Sequence, residues 1–379
     1  MIYLDYAATT PVPQAVADTM YDVLRNQYAN PSAQYGAGRD MRTQLEHWRG
    51  TIAAALDCPP GRLSFTSCGT EGDVWAIRAA LWKNRRAGRH IVTTAVEHNA
   101  VLETLKQLKD EGYSVDTVPP RPDGSIDADS VLSRVRPDTA LVTVMLVNNE
   151  LGNRYPVEEI VKRLREVNPV TLFHTDAVQG FLKVPFSARG SGADFVTVSA
   201  HKIGGAKGIG ALYVSERVKD PRPLLPGGGQ ESRRRSGTEA TAQIAGFAKA
   251  VELRTAHLSE ILRHLSDIRA YAVETLSQIP DLRVISPLQD AAPHILCVSL
   301  VGWPSQNIVT ELSAQGICIS AGSACHQGKL SHVVKALQLP PRVQKSVIRL
   351  SFGAETSRAD IDACADALRR HHDKRQPML

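Results

Sequence analysis

The chain of 379 residues has no long apolar run, no strong charge of either sign and no paired-cysteine spacing. Its most apolar internal stretch, residues 140–147, is far too short to cross a bilayer, so no membrane partner is expected. The opening MIYLDYAATT has no basic region and no long apolar core, so no leader segment is expected there. The cysteines at 58, 68, 297, 318, 325 and 364 form no CxxC pair and no metal-ligand pattern. They are too few for a disulfide scaffold, which points to free thiols in a reducing, cytoplasmic setting and to no metal site. A formal net charge of +5 is small for this length. Nucleic-acid binding would need that charge gathered in one patch, and the run Arg233-Arg234-Arg235 reads as a solvated turn. The glycines at 204, 205, 208 and 210 lack the GxGxxG order of a dinucleotide fold and the GK[ST] ending of a P-loop.

What remains is an ordinary globular composition, 43% apolar and 22% charged, in a chain long enough for two domains. A helix is expected over 14–25, a loop over 30–38 and a helix over 39–56. Strands and helices then alternate: strands at 62–67, 90–95, 114–118, 140–147, 170–176, 194–200 and 210–215, with helices at 71–82 and 99–111. Valine-rich strands alternating with helices indicate a mostly parallel sheet covered on both faces. One long amphipathic helix is expected over 240–278. Strands at LRVIS, HILCVSL and VIRLSFG follow, with helices at 306–315 and 361–370. The fold class is α/β. A large domain over 14–250 carries the mixed, mostly parallel sheet, and 1–13 with 251–379 form a smaller α+β domain.

Four segments carry chemistry. In VSAHKIGGAKGIGALYV (198–214) a strand ends at Ser199-Ala200-His201-Lys202 and glycines follow. A lysine at a sheet's carboxyl edge can condense with an aldehyde cofactor, although the segment alone fits a surface lysine beside a loop equally well. FHTDAVQG (173–180) ends a strand at Asp176, with Gln179 three residues on. Alone, such an aspartate is a helix cap. Paired with the Lys202 segment, it suits the pyridine nitrogen of pyridoxal 5'-phosphate (PLP), which must stay protonated to draw electrons. FTSCGTEG (65–72) turns through Gly69 and Thr70 into a helix, whose free N–H groups suit a phosphate, while Thr70 also suits a cap. EHNAV (97–101) sets His98 at a strand-to-helix turn, where it suits a stacking, proton-exchanging ring or a plain loop hydrogen bond.

In order along nearly the whole chain, YLDYAATTP, NPSA, GTE, EHNAV, VNNELG, DAVQ, SAHKIGG, RRSGTEA, SAGSACHQGK and IRLSFG resemble the motifs of the cysteine desulfurases. These are PLP-dependent enzymes of the class V aminotransferase fold, within fold type I. The resemblance implies that Lys202 bonds the cofactor, Asp176 pairs with its ring nitrogen, Gln179 contacts the ring hydroxyl and His98 stacks and moves protons. Gly69, Thr70, Ser199 and His201 look like phosphate ligands, and Thr238 like the one supplied by the other subunit of a homodimer. Asn149 is similar to a ring-side asparagine. Arg349 resembles the clamp on the substrate carboxylate, assisted by Asn30. Cys325 resembles the thiol that takes the sulfur of L-cysteine as a persulfide, for transfer to an acceptor protein in iron–sulfur or other sulfur biosynthesis. Its polar surroundings, Ser-Ala-Cys-His-Gln-Gly-Lys, suit a reactive thiol better than a packed one, whereas Cys297 and Cys318 lie in apolar strands.

The chain departs from the family pattern at Glu71-Gly72-Asp73, at Cys68 beside the phosphate turn, and in a slightly shorter stretch after Cys325. A selenocysteine lyase, a related class V aminotransferase, or a sulfur-relay partner without turnover are the other readings. An aminotransferase has no need of Cys325, and a relay partner has no need of the full set Lys202, Asp176, His98, Cys325 and Arg349.

Overall fold

Short valine-rich strands and the helices between them build one large sheet and one small one. The computed structural model describes residues 1–322 and 330–374. In chain order the strands are β1 (Ile2–Tyr3), β2 (Leu63–Thr66), β3 (His90–Thr94), β4 (Ser114–Val118), β5 (Thr139–Thr143), β6 (Leu172–Asp176), β7 (Phe195–Ser199), β8 (Gly210–Val214), β9 (Leu282–Val284), β10 (Ile295–Leu300), β11 (Ile317–Cys318) and β12 (Val347–Ser351). The helices are α1 (Gln14–Asn26), α2 (Gly36–Ala55), α3 (Gly69–Lys83), α4 (Asn99–Asp110), α5 (Ala128–Leu132), α6 (Val157–Val167), α7 (Thr241–Ala256), α8 (Leu258–Leu276), α9 (Ser305–Ala314), α10 (His332–Ala336), α11 (Pro341–Gln344) and α12 (Arg358–Lys374).

Seven strands lie in the order β2-β8-β7-β6-β5-β3-β4. From β7 to β4 every pair is parallel, and β8 runs antiparallel to both β7 and β2. The sheet is mixed and mostly parallel, as the sequence implies. Two reversals return β2 to the direction of the parallel strands. The carboxyl ends of β2, β3, β5, β6 and β7 therefore share one edge, the edge where such sheets bind ligands.

Successive strand residues face opposite sides. Leu141, Leu172, Phe195 and Leu212 pack beneath α3 and α4. Val142, Phe173, Val196 and Ala211 enter the larger core with α2, α6 and α7. Each buried Leu or Phe side chain contributes roughly 1.5–3 kcal/mol. The second sheet is β12-β10-β9, antiparallel throughout. Its Leu296, Val298, Leu300, Ile348 and Leu350 pack with α8, α9 and α12. Cys297 faces the other way and joins the core of the large sheet, so β10 serves two cores. No helix among the described residues is long and apolar enough to cross a membrane.

Three local expectations change. The helix expected over 240–278 is two helices, broken at His257 (φ −122°, ψ 18°). Ala242, Phe247 and Val251 of α7 belong to the core of the large sheet, whereas Leu265, Ile268 and Leu276 of α8 belong to that of the small one. One straight helix cannot face both. The strand expected over 140–147 ends at Thr143. Beyond it the chain curls over the sheet edge, with the Met145 N–H bonded to the Glu97 carboxylate (3.0 Å). The loop expected over 30–38 ends early, because α2 starts at Gly36. Helix α6, not expected, carries Val157, Ile160, Val161 and Leu164 on one buried face at helical spacing.

Candidate active site

The lysine turn comes first. Strand β7 ends at Ser199 and a 3₁₀ turn over Ala200–Lys202 follows. Gly204 takes φ +94°, a conformation that side chains disfavour, and lets the chain double back. The Lys202 ammonium donates to the carbonyls of Ala7 (2.7 Å) and Ala8 (2.8 Å). The arm that supplies these carbonyls is fixed by Thr10, whose N–H and hydroxyl both donate to the His201 carbonyl. Burial, with Lys202, Lys183 and Lys207 nearby, pushes the His201 imidazole down to about 3, so it is neutral on Thr9 Oγ1 (3.2 Å).

Asp176 ends β6 with its carboxylate accepting the Val178 N–H (2.9 Å). His98 caps α4: its Nδ1 accepts the Ala100 N–H (3.2 Å), which leaves the proton on Nε2. Polar atoms of Asp176, His98 and Asp73 all lie within 4.8 Å of one another, a spacing that also admits a metal ion. Burial raises the Asp176 carboxyl, Asp73 adds to the rise and His98 opposes it. Burial lowers His98, with Asp176 opposing. Asp73 is pushed up to about 8 by burial and is a neutral acid near pH 7, which suits it poorly to a metal.

The phosphate turn lies against both groups. A Cβ on Gly69 would meet Val178 Cγ2 at 2.8 Å and Ser199 Cβ at 3.7 Å, so this position tolerates only glycine without movement. The first backbone bond of this helix runs from the Gly72 N–H to the Cys68 carbonyl, so the N–H groups of Gly69, Thr70 and Glu71 precede it. The Ser199 hydroxyl is buried with no hydrogen-bond partner among the described residues. Burial would raise the Glu71 carboxyl, but Arg235 (2.9 Å) and the Ser67 N–H (2.9 Å) outweigh it and hold it low.

Arg349 is buried in β12. Its Nη1 donates to the Asn149 carbonyl (2.6 Å), its Nη2 to Asp5 Oδ1 (2.7 Å), and its Nε has no partner among the described residues. Gln179 Nε2 donates to the Ala7 carbonyl (2.8 Å). Asn30 is exposed and its side chain accepts the Ser32 N–H; no hydrogen bond joins it to Arg349. Thr238 is exposed on a loop tied down by Arg235 on Glu71. Cys325 lies outside the described residues. The structure thus gathers Lys202, Asp176, His98, Gln179, Gly69 and Ser199, and sets Asn149 on Arg349 through its backbone, with no hydrogen bond between Asn30 and Arg349. Asp5, Asp73, Lys183 and His294 were missed. For Asp73 and Lys183 the signal was spacing, three after Thr70 and four after Gln179 on helical or turn backbone; for His294 there was none.

An unpartnered buried hydroxyl beside free helix-start N–H groups, a buried carboxylate and a lysine at one sheet edge fit PLP. The sequence matches the model of the family described as Aminotransferase class-V over residues 2–364. The chain belongs to that family. Among curated class-V relatives, a cysteine desulfurase from Nostoc sp. is 40% identical over 97% of this chain and 92% of its own length. A cysteine desulfurase IscS from Dictyoglomus turgidum is 35% identical over 98% and 95%. A solved NifS-like protein superposes with a TM-score of 0.93 at 33% identity, covering 99% of this chain and all of its own. As a member of that family, the protein is PLP-dependent.

Proposed function

We propose that this protein is a cysteine desulfurase, converting L-cysteine to L-alanine and holding the sulfur as a persulfide on Cys325. The meeting of Lys202, Asp176 and His98 beside the unpartnered Ser199 hydroxyl carries the reading. PLP bound there supplies an electron sink next to the substrate's α-carbon. Lys202 would hold its aldehyde carbon, Asp176 its ring nitrogen, Gln179 its ring hydroxyl and Asn149 its side. Gly69, Thr70, Ser199 and His201 would hold its phosphate, with Thr238 from a second copy. His98, lowered by burial, is neutral and can give a proton from Nε2 and take one back. Arg349 would bind the substrate carboxylate in a bidentate pair, with Asn30 assisting, as Asp5 yields part of the guanidinium. Cys325 Sγ forms an S–S bond as the substrate's C–S bond breaks. The bonding pair stays with the carbon fragment, which gains a proton; L-cysteine plus thiol becomes L-alanine plus persulfide.

The sulfur then passes to an acceptor protein, for iron–sulfur clusters or other sulfur biosynthesis, in the cytoplasm of the cell. The chain acts as a homodimer divided into a large domain (14–250) and a small one (1–13 and 251–379). Sedimentation should show the dimer, and a fully active monomer would remove Thr238 from the site. The central test is alanine and sulfide release from L-cysteine by PLP-loaded protein. With a thiol reductant present to release the persulfide sulfur as sulfide, wild type should give both. Cys325→Ser should still bind cysteine, read from the visible spectrum, while both products fall to background. Persisting alanine in that variant would overturn the persulfide step.

A further inference from the structure

Gln179 faces two ways, and two residues outside any role assigned above decide which. Its Oε1 accepts from Lys183 Nζ (3.1 Å) and lies 3.3 Å from His294 Nε2. Its Nε2 donates to the Ala7 carbonyl, the same oxygen that takes Lys202 Nζ at 2.7 Å. Turning the amide over would set its oxygen against the Ala7 oxygen at 2.8 Å and remove the acceptor that Lys183 needs. Lys183 and His294 are almost fully buried, at 3% and 1% exposure, where an amine or ring without this acceptor would be costly. The Nδ1 of His294 has no partner among the described residues, so its hydrogen bond to Gln179 is the ring's single anchor.

We propose that Lys183 and His294 are positioning residues: a buried pair of donors that holds the Gln179 oxygen inward, so that its nitrogen faces the cofactor pocket as a donor. This rests on the PLP reading above. A donor to the ring hydroxyl oxygen draws electron density from it and weakens its hold on a proton at the neighbouring lysine-linked nitrogen. Losing that donor lets the nitrogen keep its proton to higher pH. The charged and titratable groups facing the pair are Lys202, Arg254, Arg349 and His201, with Glu355 beyond Arg254. Burial, with these cations nearby, holds both Lys183 and His294 well below their ordinary ranges, and an amine or an imidazole Nε2–H donates whether or not the group is protonated.

The test is a pH titration of the visible absorbance of PLP-loaded protein. Lys183→Met keeps the volume and removes the donor. Its midpoint should rise by roughly 0.5–1 pH unit, the scale of one lost hydrogen bond. His294→Leu should shift it in the same direction, and by less if Lys183 remains. In a Gln179→Leu background neither change should add a further shift. A purely structural role would lower the melting temperature and leave the midpoint in place, and that outcome overturns the proposal. If Lys183→Met folds poorly, the His294→Leu titration decides alone. Should the wild type develop no visible band with PLP, the cofactor reading fails instead, which is a distinct result.

Discussion

A buried acid beside β2 and the buried acids near Asp176 are treated in opposite ways. Beneath the 229–238 loop, Glu231 is fully satisfied. Both its oxygens meet the Arg49 guanidinium (2.7 and 2.8 Å), and one also takes the Phe65 N–H (2.8 Å). Around Asp176, Asp73 and Glu97 are buried as deeply and form no ion pair with Lys or Arg among the described residues; Asp73 has only the His174 ring, at 3.4 Å, which burial lowers to about 4. Asp73 Oδ1 and Glu97 Oε2 have no hydrogen-bond partner among the same residues. The bidentate pair fixes the geometry around Glu231. Burial without such a partner drives Asp73 and Glu97 toward their neutral forms, so both answer to pH. The first region is built for rigidity: it holds Glu231, Ser232 and Arg233 at φ 49°, 55° and 66°, a left-handed run that costs about 1–2 kcal/mol per residue. The second is built around protons.

Breaking the paired set should have the largest effect. Glu231→Ala leaves the buried Arg49 with only the exposed Glu46 carboxylate at its Nε and both Nη groups short of their partner, and should cost on the order of 3 kcal/mol, read by urea unfolding. The double variant Arg49→Met, Glu231→Leu should recover most of that loss. If both variants were equally unstable, the pair would not be the source.

Arg349 combines the two treatments, with Asp5 paired on one end and an Nε that has no partner among the described residues. Arg349→Ala should lower kcat/KM for cysteine by tenfold or far more, on the scale of roughly 2–5 kcal/mol for a buried charge left alone. Lysine should restore only part, since it lacks the planar fork. Unchanged kinetics in the alanine variant would assign the carboxylate to another residue.

Glu97 sharpens the contrast through pH. Burial raises its carboxyl from 4.5 to about 8, so the native state binds more protons than the unfolded chain. The stability it gives is complete below 4.5 and is lost as pH rises toward 8. Glu97→Gln should flatten part of that decline in melting temperature. Glu71, held low by Arg235, runs the other way and loses its contribution on acidification. The smallest effect belongs to Arg235→Ala, which removes that partner and should cost about 1 kcal/mol while weakening PLP affinity modestly. A PLP titration followed by absorbance measures it.

Much of this was legible in the chain. The strand end at Asp176, the turn at Gly69 and the strand-to-helix turn at His98 are local matters of periodicity and turn chemistry, and the structure places them as read; that His98 also caps the helix, and that β7 stops at Ser199 rather than 200, it adds. The helix break at His257 was not legible, because periodicity reports an apolar face and not which core receives it. Nor was the contact of Asp5 with Arg349, which depends on how two sheets meet. Lys183 looked like any turn lysine until burial put it behind Gln179.

The N-terminal arm carries a consequence for how the site comes into being. Ala7 is joined to the chain 195 residues before Lys202, and Asp5 344 residues before Arg349. On the ribosome the arm emerges first and must wait for every one of its partners. Contacts so distant in sequence form late in folding. A truncated or stalled chain can therefore build much of the large sheet, arm included, and still lack β11, Ser351 and Arg349, which hold residues 2–7 of the arm in place. The carbonyls that steer Lys202 are among the first residues made, and their fixed position is among the last things gained.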